Sequence, residues 1–234
     1  MANEIIYQIT YEDVQDRDIL YNHIYLNEDM NYYITDDFSK EFYIYLASCG
    51  FIATSVTLDN KFFLLPEMQF EYALLDFDDL NISKSTNKLL KKDLHSFKIN
   101  SNITEVLTKL DMYHKNNWLT DNYKELIIDL YNSEFDNGFK VLCVELYDKS
   151  TNELIAGEIG YKIGSTYTSL TGFSSKEKQY KNWGKLQLVL LALYLKDQNY
   201  AFWNLGQPYM QYKFDLGAKE YSRMDFLKRW LKSI

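Results

Sequence analysis

Apolar residues recur along this chain with two periods, and the second half carries the clearer pattern. Leu154 to Ile163 and Thr166 to Phe173 flank Gly164-Ser165, a two-residue turn of the kind that closes a β-hairpin. Lys185 to Asp197 follows, thirteen residues without Gly or Pro and led by Leu and Ala, which predicts a buried helix. Tyr200 to Trp203 reads as a short apolar strand that Gly206 and Pro208 end sharply.

The first half is more broken. Glu4 to Thr10 alternates as a strand. Phe38 to Ser48 repeats apolar residues at 38, 42, 45 and 46, a helix capped by Asp37 or Ser39 and ended by Gly50. Phe51 to Thr57 and Lys61 to Leu65 pair across Asp59-Asn60, with Pro66 closing the unit, and Tyr72 to Phe77 is another strand. Ser83 to Lys92 predicts a short helix with Lys84, Lys88, Lys91 and Lys92 on one face. After a strand at Phe97 to Asn100, Ile103 to Met112 and Asn122 to Tyr131 show helical periodicity, with Thr104 and Asp121 as caps. Trp118-Leu119-Thr120 lies between them, and Phe139 to Tyr147 alternates as a strand leading into the hairpin.

Composition narrows the classes of function. The 234 residues are 47% hydrophobic, enough for one large domain or two modest ones sharing an interface. A net charge of −8 argues against non-specific coating of nucleic acid, yet leaves room for a local basic patch such as the four lysines. An ordinary solvated lysine face is the commoner meaning of such a run. Cys49 and Cys143 sit in apolar surroundings and read as reduced core residues. The three histidines show no metal-ligand spacing, and no apolar run approaches membrane-spanning length. A soluble cytoplasmic protein without metal or cofactor is the expectation.

Catalytic patterns built on a phosphate-cradling Gly-rich loop, a nucleophile elbow or a Cys/His cluster are missing. That leaves reactions in which the substrates bring the reactivity and the protein positions them, such as aminolysis of an activated ester. Five stretches in order then resemble one family, the leucyl/phenylalanyl-tRNA–protein transferases. They are Asn81-Ile82-Ser83-Lys84-Ser85 with the lysines that follow, Trp118-Leu119-Thr120, Asn152 to Gly164 with Gly172-Phe173-Ser174, Gln207, and Leu216-Gly217-Ala218-Lys219-Glu220 through Arg223 to Leu227.

The resemblance implies an α+β chain: a small N-terminal domain, residues 1–80, and a GNAT-like acyltransferase domain, residues 81–234, with a mixed sheet flanked by helices. It implies transfer of an amino acid from aminoacyl-tRNA to the N-terminal α-amine of an acceptor protein, marking that protein for degradation. Lys84, Lys88, Lys91 and Lys92 would receive the acceptor stem, although position 87, basic in the family, is Asn87. Trp118 would line the aminoacyl pocket, or serve only as a core aromatic. Gln207 matches a glutamine beside the scissile ester, where its amide would orient an α-amine or steady the oxyanion together with backbone groups near Gly206.

Departures from the family pattern are equally specific. Two acidic positions associated with its active site fall on Leu170 and Leu205, with Asn204 one step from the second. A Trp-rich segment before the basic helix is absent around Pro66-Glu67. Glu158 lies inside the hairpin and, counting from the turn, opposes Thr171, on the face away from Leu170; a site role and a structural salt bridge are both open. Tyr209 to Lys213 also resembles a Met-x-Tyr-Lys run of arginyl-tRNA–protein transferases, which widens the choice of amino acid. Two alternatives stay open: a non-catalytic tRNA- or peptide-binding relative, and an acyl-CoA-dependent transferase. The second would want a glycine-rich turn where Tyr180 to Lys185 carries only Gly184.

Overall fold

A computed structural model describes residues 6–114 and 118–234. The chain begins with β1 (Tyr7–Gln8), α1 (Tyr11–Gln15) and a π-helical turn at Ile19–Tyr25. The strand expected over 4–10 is thus short, and its residues 4 and 5 lie outside the described residues. Thr10 ends it by capping α1: its hydroxyl accepts from Asp13 N at 3.2 Å while the Asp13 carboxylate accepts from Thr10 N at 2.9 Å. β2 (Tyr33–Ile34) pairs parallel with β1. Ser39 caps α2 (Lys40–Ser48), which buries Phe42, Tyr43 and Leu46.

β3 (Ile52–Leu58) and β4 (Lys61–Glu67) form a separate hairpin, turned at Asp59 and Asn60 with φ of 49° and 60°. Pro66 does not close this unit. It pairs with Ala53 inside β4, and the strand runs on to Glu67 opposite Ile52. The far edge of β4 is bridged at Leu64 and Glu67 but not at Pro66, so the missing N–H costs no ladder bond on that edge.

β5 (Glu71–Leu75) leads to α3 (Lys84–Leu90), β6 (His95–Ile99), α4 (Ile103–Tyr113) and α5 (Asp121–Tyr131). The caps of α4 and α5 are Asn102 and Thr120, not Thr104 and Asp121, because the capping oxygen must sit on extended backbone before the first helical residue. Then come β7 (Lys140–Asp148), β8 (Leu154–Ile163), β9 (Thr166–Ser174), α6 (Trp183–Asp197) and β10 (Phe202–Asn204). α7 (Gln211–Leu216), β11 (Lys219–Ser222) and α8 (Arg223–Trp230) complete the chain.

Seven strands make one sheet in the order β11-β5-β10-β9-β8-β7-β6. β10 runs parallel to β9, as a strand returning through the crossover helix α6 must, and the other neighbours are antiparallel. This is the expected mixed sheet flanked by helices. The expected division at residue 80 runs between β5 and the sheet to which β5 belongs.

The sheet separates two apolar layers. Tyr167, Leu191, Leu195 and Trp203 pack on the α6 side. Val106, Tyr123, Tyr161, Phe202 and Trp230 pack on the side of α2, α4, α5 and α8. Each fully buried aliphatic side chain contributes about 1.5–3 kcal/mol.

One side chain ties the N-terminal segment to the sheet. Arg223, at the start of α8, is 5% exposed and donates to five main-chain carbonyls: Gln69 at 3.1 Å, Met68 at 2.7 Å, Ile24 at 3.1 Å, Met30 at 3.0 Å, and Asn27. Replacing Arg223 with Met strands these carbonyls without donors. Urea unfolding of that variant should show a loss of more than about 3 kcal/mol, far beyond the effect of an exposed substitution.

Candidate functional site

β10 ends at Asn204, and the chain leaves the sheet through Leu205, Gly206 and Gln207. Leu205 N donates to Ala73 O at 2.9 Å, Ala73 N donates to Gly206 O at 2.7 Å, and Gly206 N donates to Asn204 Oδ1 at 2.9 Å. Gly206 adopts φ of +73°, which turns the chain and lets Ile52 and the Gln69 amide approach to within 3.7–3.8 Å of where a Cβ would stand. The turn projects the Gln207 carboxamide towards the end of β4.

There it meets Glu67. Gln207 Nε2 donates to both carboxylate oxygens, at 2.8 and 3.0 Å, and to the Tyr32 hydroxyl at 3.2 Å. Asn31 Nδ2 and Gln69 Nε2 also donate to Glu67, at 2.9 and 3.2 Å. Burial, then the negative charge of Glu67, pushes the Tyr32 phenol up to about 12, so Tyr32 keeps its proton and donates it to Glu67. A carboxylate accepts and never donates, so the amide of Gln207 must face it nitrogen first. Its Oε1 is then the outward group, with no hydrogen bond among the described residues.

Lys213 of α7 closes the turn from beneath. Its ammonium, on a residue only 6% exposed, donates to the carbonyl oxygens of Leu205 and Gln207, both at 2.6 Å. Burial lowers it to about 8, and the nearby Glu158 carboxylate acts against that fall. Glu158 accepts from Ser169 Oγ at 2.6 Å, Tyr167 OH at 3.0 Å and Gln187 Nε2 at 3.3 Å. Desolvation raises its pKa; those three donors and Lys213 oppose the rise. Gly160 makes this cluster possible, since a Cβ there would stand 2.3 Å from the Tyr167 hydroxyl.

The residues singled out from the sequence do not all converge. Gln207 and the turn after Asn204 form the centre. The Asn204 side chain is buried, spends Oδ1 on Gly206 N, and leaves Nδ2 unpartnered in the interior. Leu205 packs on the α6 side of the sheet and Leu170 on the opposite side, so the two do not share one pocket wall. Glu158 does not oppose Thr171. A bulge after Ile159 puts Ile159 opposite Thr171 and Glu158 opposite Gly172, and leaves Leu170 as the extra residue.

Trp118 is half-buried and packs edge-on to Tyr123 at 5.0 Å, with its carbonyl accepting from Ser55 of β3. That is roughly 10 Å along β3 from Ile52, the partner of Glu67. Lys84, Lys88, Lys91 and Lys92 are exposed on α3 and the turn after it, with no ion pair among the described residues.

Sequence reasoning missed Glu67 and Tyr32. The available signal was one acid at the end of the apolar run Phe62 to Met68, a place where burial would demand a partner. It also missed the support from Lys213. Among the described residues no group of His, Cys, Asp or Glu is placed to hold a metal ion, and no helix is long and apolar enough to cross a membrane.

Comparisons with known proteins match the turn and the sheet around it. The family model described as leucyl/phenylalanyl-tRNA protein transferase matches residues 74–231, from within β5 to the end of α8. A leucyl/phenylalanyl-tRNA–protein transferase of Lawsonia intracellularis is 30% identical over 178 residues, covering 73% of this chain and 67% of the relative. One from Flavobacterium johnsoniae is 27% identical over 158 residues, covering 66% of this chain and 69% of the relative. Among solved structures, FemX overlaps at a TM-score of 0.47 with 9% identity, covering 95% of this chain and 80% of that one. A tandem GNAT protein from the clavulanic acid biosynthesis pathway overlaps at 0.41 with 8% identity, covering 77% of this chain and 58% of that one. Glu67 and Tyr32 lie before the matched segment, whereas Gln207, Lys213 and the α3 lysines lie inside it. With more than half its length matched by the family model, this chain belongs to the leucyl/phenylalanyl-tRNA–protein transferase family.

Proposed function

We propose that this chain moves an apolar amino acid, Leu or Phe in type, from a charged tRNA to the α-amine at an acceptor protein's N-terminus. The Gln207 carboxamide carries the reading. Its nitrogen is consumed by Glu67 and Tyr32, so it offers an oriented acceptor oxygen in a partly desolvated place. An attacking amine donates one N–H to that oxygen, which aims the nitrogen lone pair at the ester carbonyl. The negative charge of Glu67 on the far side of the amide strengthens Oε1 as an acceptor.

The new C–N bond forms, the ester C–O bond breaks, and the ribose oxygen of tRNA leaves with the proton the amine gives up. An ordinary α-amine has a pKa of about 7.7–8.0, so a useful fraction is already unprotonated near neutral pH. Leu170 and Leu205, in place of the family's acids, therefore do not stop the reaction. Gln207 Nε2 and Gly206 N–H are both occupied, so their part is positioning the amine and holding the turn, not receiving an oxyanion.

Trp118 contributes an apolar surface for the aminoacyl side chain, and the fold serves as a GNAT-like acyltransferase domain. The α3 lysines meet the phosphates of the acceptor stem. The modified protein enters degradation, in the cytoplasm where charged tRNA is found.

Transfer of radiolabelled Leu or Phe from charged tRNA to peptides with N-terminal Lys or Arg tests this directly. Gln207→Ala should lower kcat about tenfold to a hundredfold while keeping the fold, and Glu67→Gln should lower it by about tenfold, because the amide then loses its fixed orientation. Wild-type rates in Gln207→Ala would remove the role given to Gln207. Charged tRNA bound without any product would leave the non-catalytic reading instead. Replacing Lys84, Lys88, Lys91 and Lys92 with Ala should weaken tRNA binding and flatten the dependence of log K on log salt by about 3, with kcat at saturating tRNA unchanged. An unaltered salt slope would place the tRNA elsewhere.

A further inference from the structure

The pair Lys213 and Glu158 is unexplained by the transfer step. Both are almost fully buried, 6% and 4% exposed, on α7 and β8, and they act on each other electrostatically without a direct ion pair. Burying an ammonium costs several kcal/mol unless its donors and charge are met. Ion pairing at the surface would have cost far less, so the location needs a reason.

The carbonyls supply one. Leu205 O and Gln207 O flank Gly206 and both point inward, away from water, where main-chain oxygens need donors. Among the described residues no main-chain N–H donates to either oxygen: Leu205 N serves Ala73 O, Gly206 N serves Asn204 Oδ1, and Pro208 has none. One ammonium satisfies both oxygens with charge-assisted bonds. With its two carbonyls drawn inward, the turn sends the Gln207 side chain the other way, onto Glu67.

Glu158 stands behind this arrangement as the compensating charge. Its own oxygens are held by Ser169, Tyr167 and Gln187, and Trp203 Nε1 donates to Ser169 Oγ at 2.8 Å. The Glu158 network therefore joins β8, β9, β10 and α6 to the underside of the turn.

We propose that Lys213 is a positioning residue for transfer: its ammonium, with the Glu158 carboxylate behind it, clamps the carbonyls of Leu205 and Gln207 and so sets where the Gln207 carboxamide stands. The proposal rests on the reading of Gln207 given above. Lys213 does not touch substrate; it acts through the turn.

The test is a double-mutant cycle on the full chain, with the same peptide assay. Lys213→Met alone strands the Glu158 charge in the interior, which threatens folding, so the variant to use combines Lys213→Met with Glu158→Gln, leaving neither charge buried. That variant should fold, lose about tenfold to a hundredfold in kcat, and keep KM for aminoacyl-tRNA within about twofold. Added to Gln207→Ala it should change nothing more, because its effect passes through Gln207. Amide hydrogen exchange at Gly206 should speed up in the paired variant. Full kcat in the folded paired variant, or losses that simply add to those of Gln207→Ala, would overturn the proposal. Unchanged exchange at Gly206 would overturn the clamp itself, whereas full activity of Gln207→Ala with faster exchange would overturn only the reading of Gln207.

Discussion

A guanidinium taken out of water has five N–H donors to satisfy, and Arg223 satisfies them on main-chain oxygens from two distant parts of the chain. Those oxygens belong to the π-helical turn and its exit, residues 24–30, and to the loop at 68–69. The loop begins one residue after Glu67. Arg223 therefore fixes the acid of the site from behind, with α8 as its mount, and its positive charge lies close enough to Glu67 to act on it electrostatically. The N-terminal segment is positioned by these directional contacts to backbone and by the burial of Ile9, Val14, Ile24 and Tyr25 in the apolar core, where Tyr72 and Phe226 stack at 3.7 Å.

The site repeats this logic at smaller scale. Glu67, Glu158 and Lys213 are all nearly excluded from water, and each is held by at least two named hydrogen-bond partners. In such surroundings an amide between a carboxylate and an incoming amine has one favourable orientation. The resemblance would put family acids where this chain has leucines at 170 and 205, and a carboxylate contacts the glutamine all the same. It comes from β4, a different part of the chain.

Local features were legible in the sequence. The hairpin around Gly164-Ser165, the helix now bounded at Trp183–Asp197, and the strand pair across Asp59-Asn60 all rest on short-range periodicity and turn chemistry. Gln207 was singled out through the family resemblance, which is carried by residues contiguous in the chain. Its partners were not, since Glu67 and Tyr32 lie 140 and 175 residues away. The bulge at Leu170 was invisible to register counting, which assumes one residue opposite one. α7, β11 and α8 were missed as elements because they are short and carry many exposed polar residues, with their burial limited to positions such as Lys213, Leu216 and Trp230.

β5 lies between β10 and β11, although most of the chain separates it from both in sequence. A ribosome making this chain delivers β5 long before β10 and β11, the strands that pair with it. Until then Leu74 and Ala73 offer unpaired edges, and Glu67 has no glutamine to orient. Pairings of such long sequence separation form slowly and late. A chain stalled before β10 and β11 therefore carries an open strand edge and an unassembled centre together. Incomplete copies would be handled as misfolded protein rather than persist as partly active enzyme.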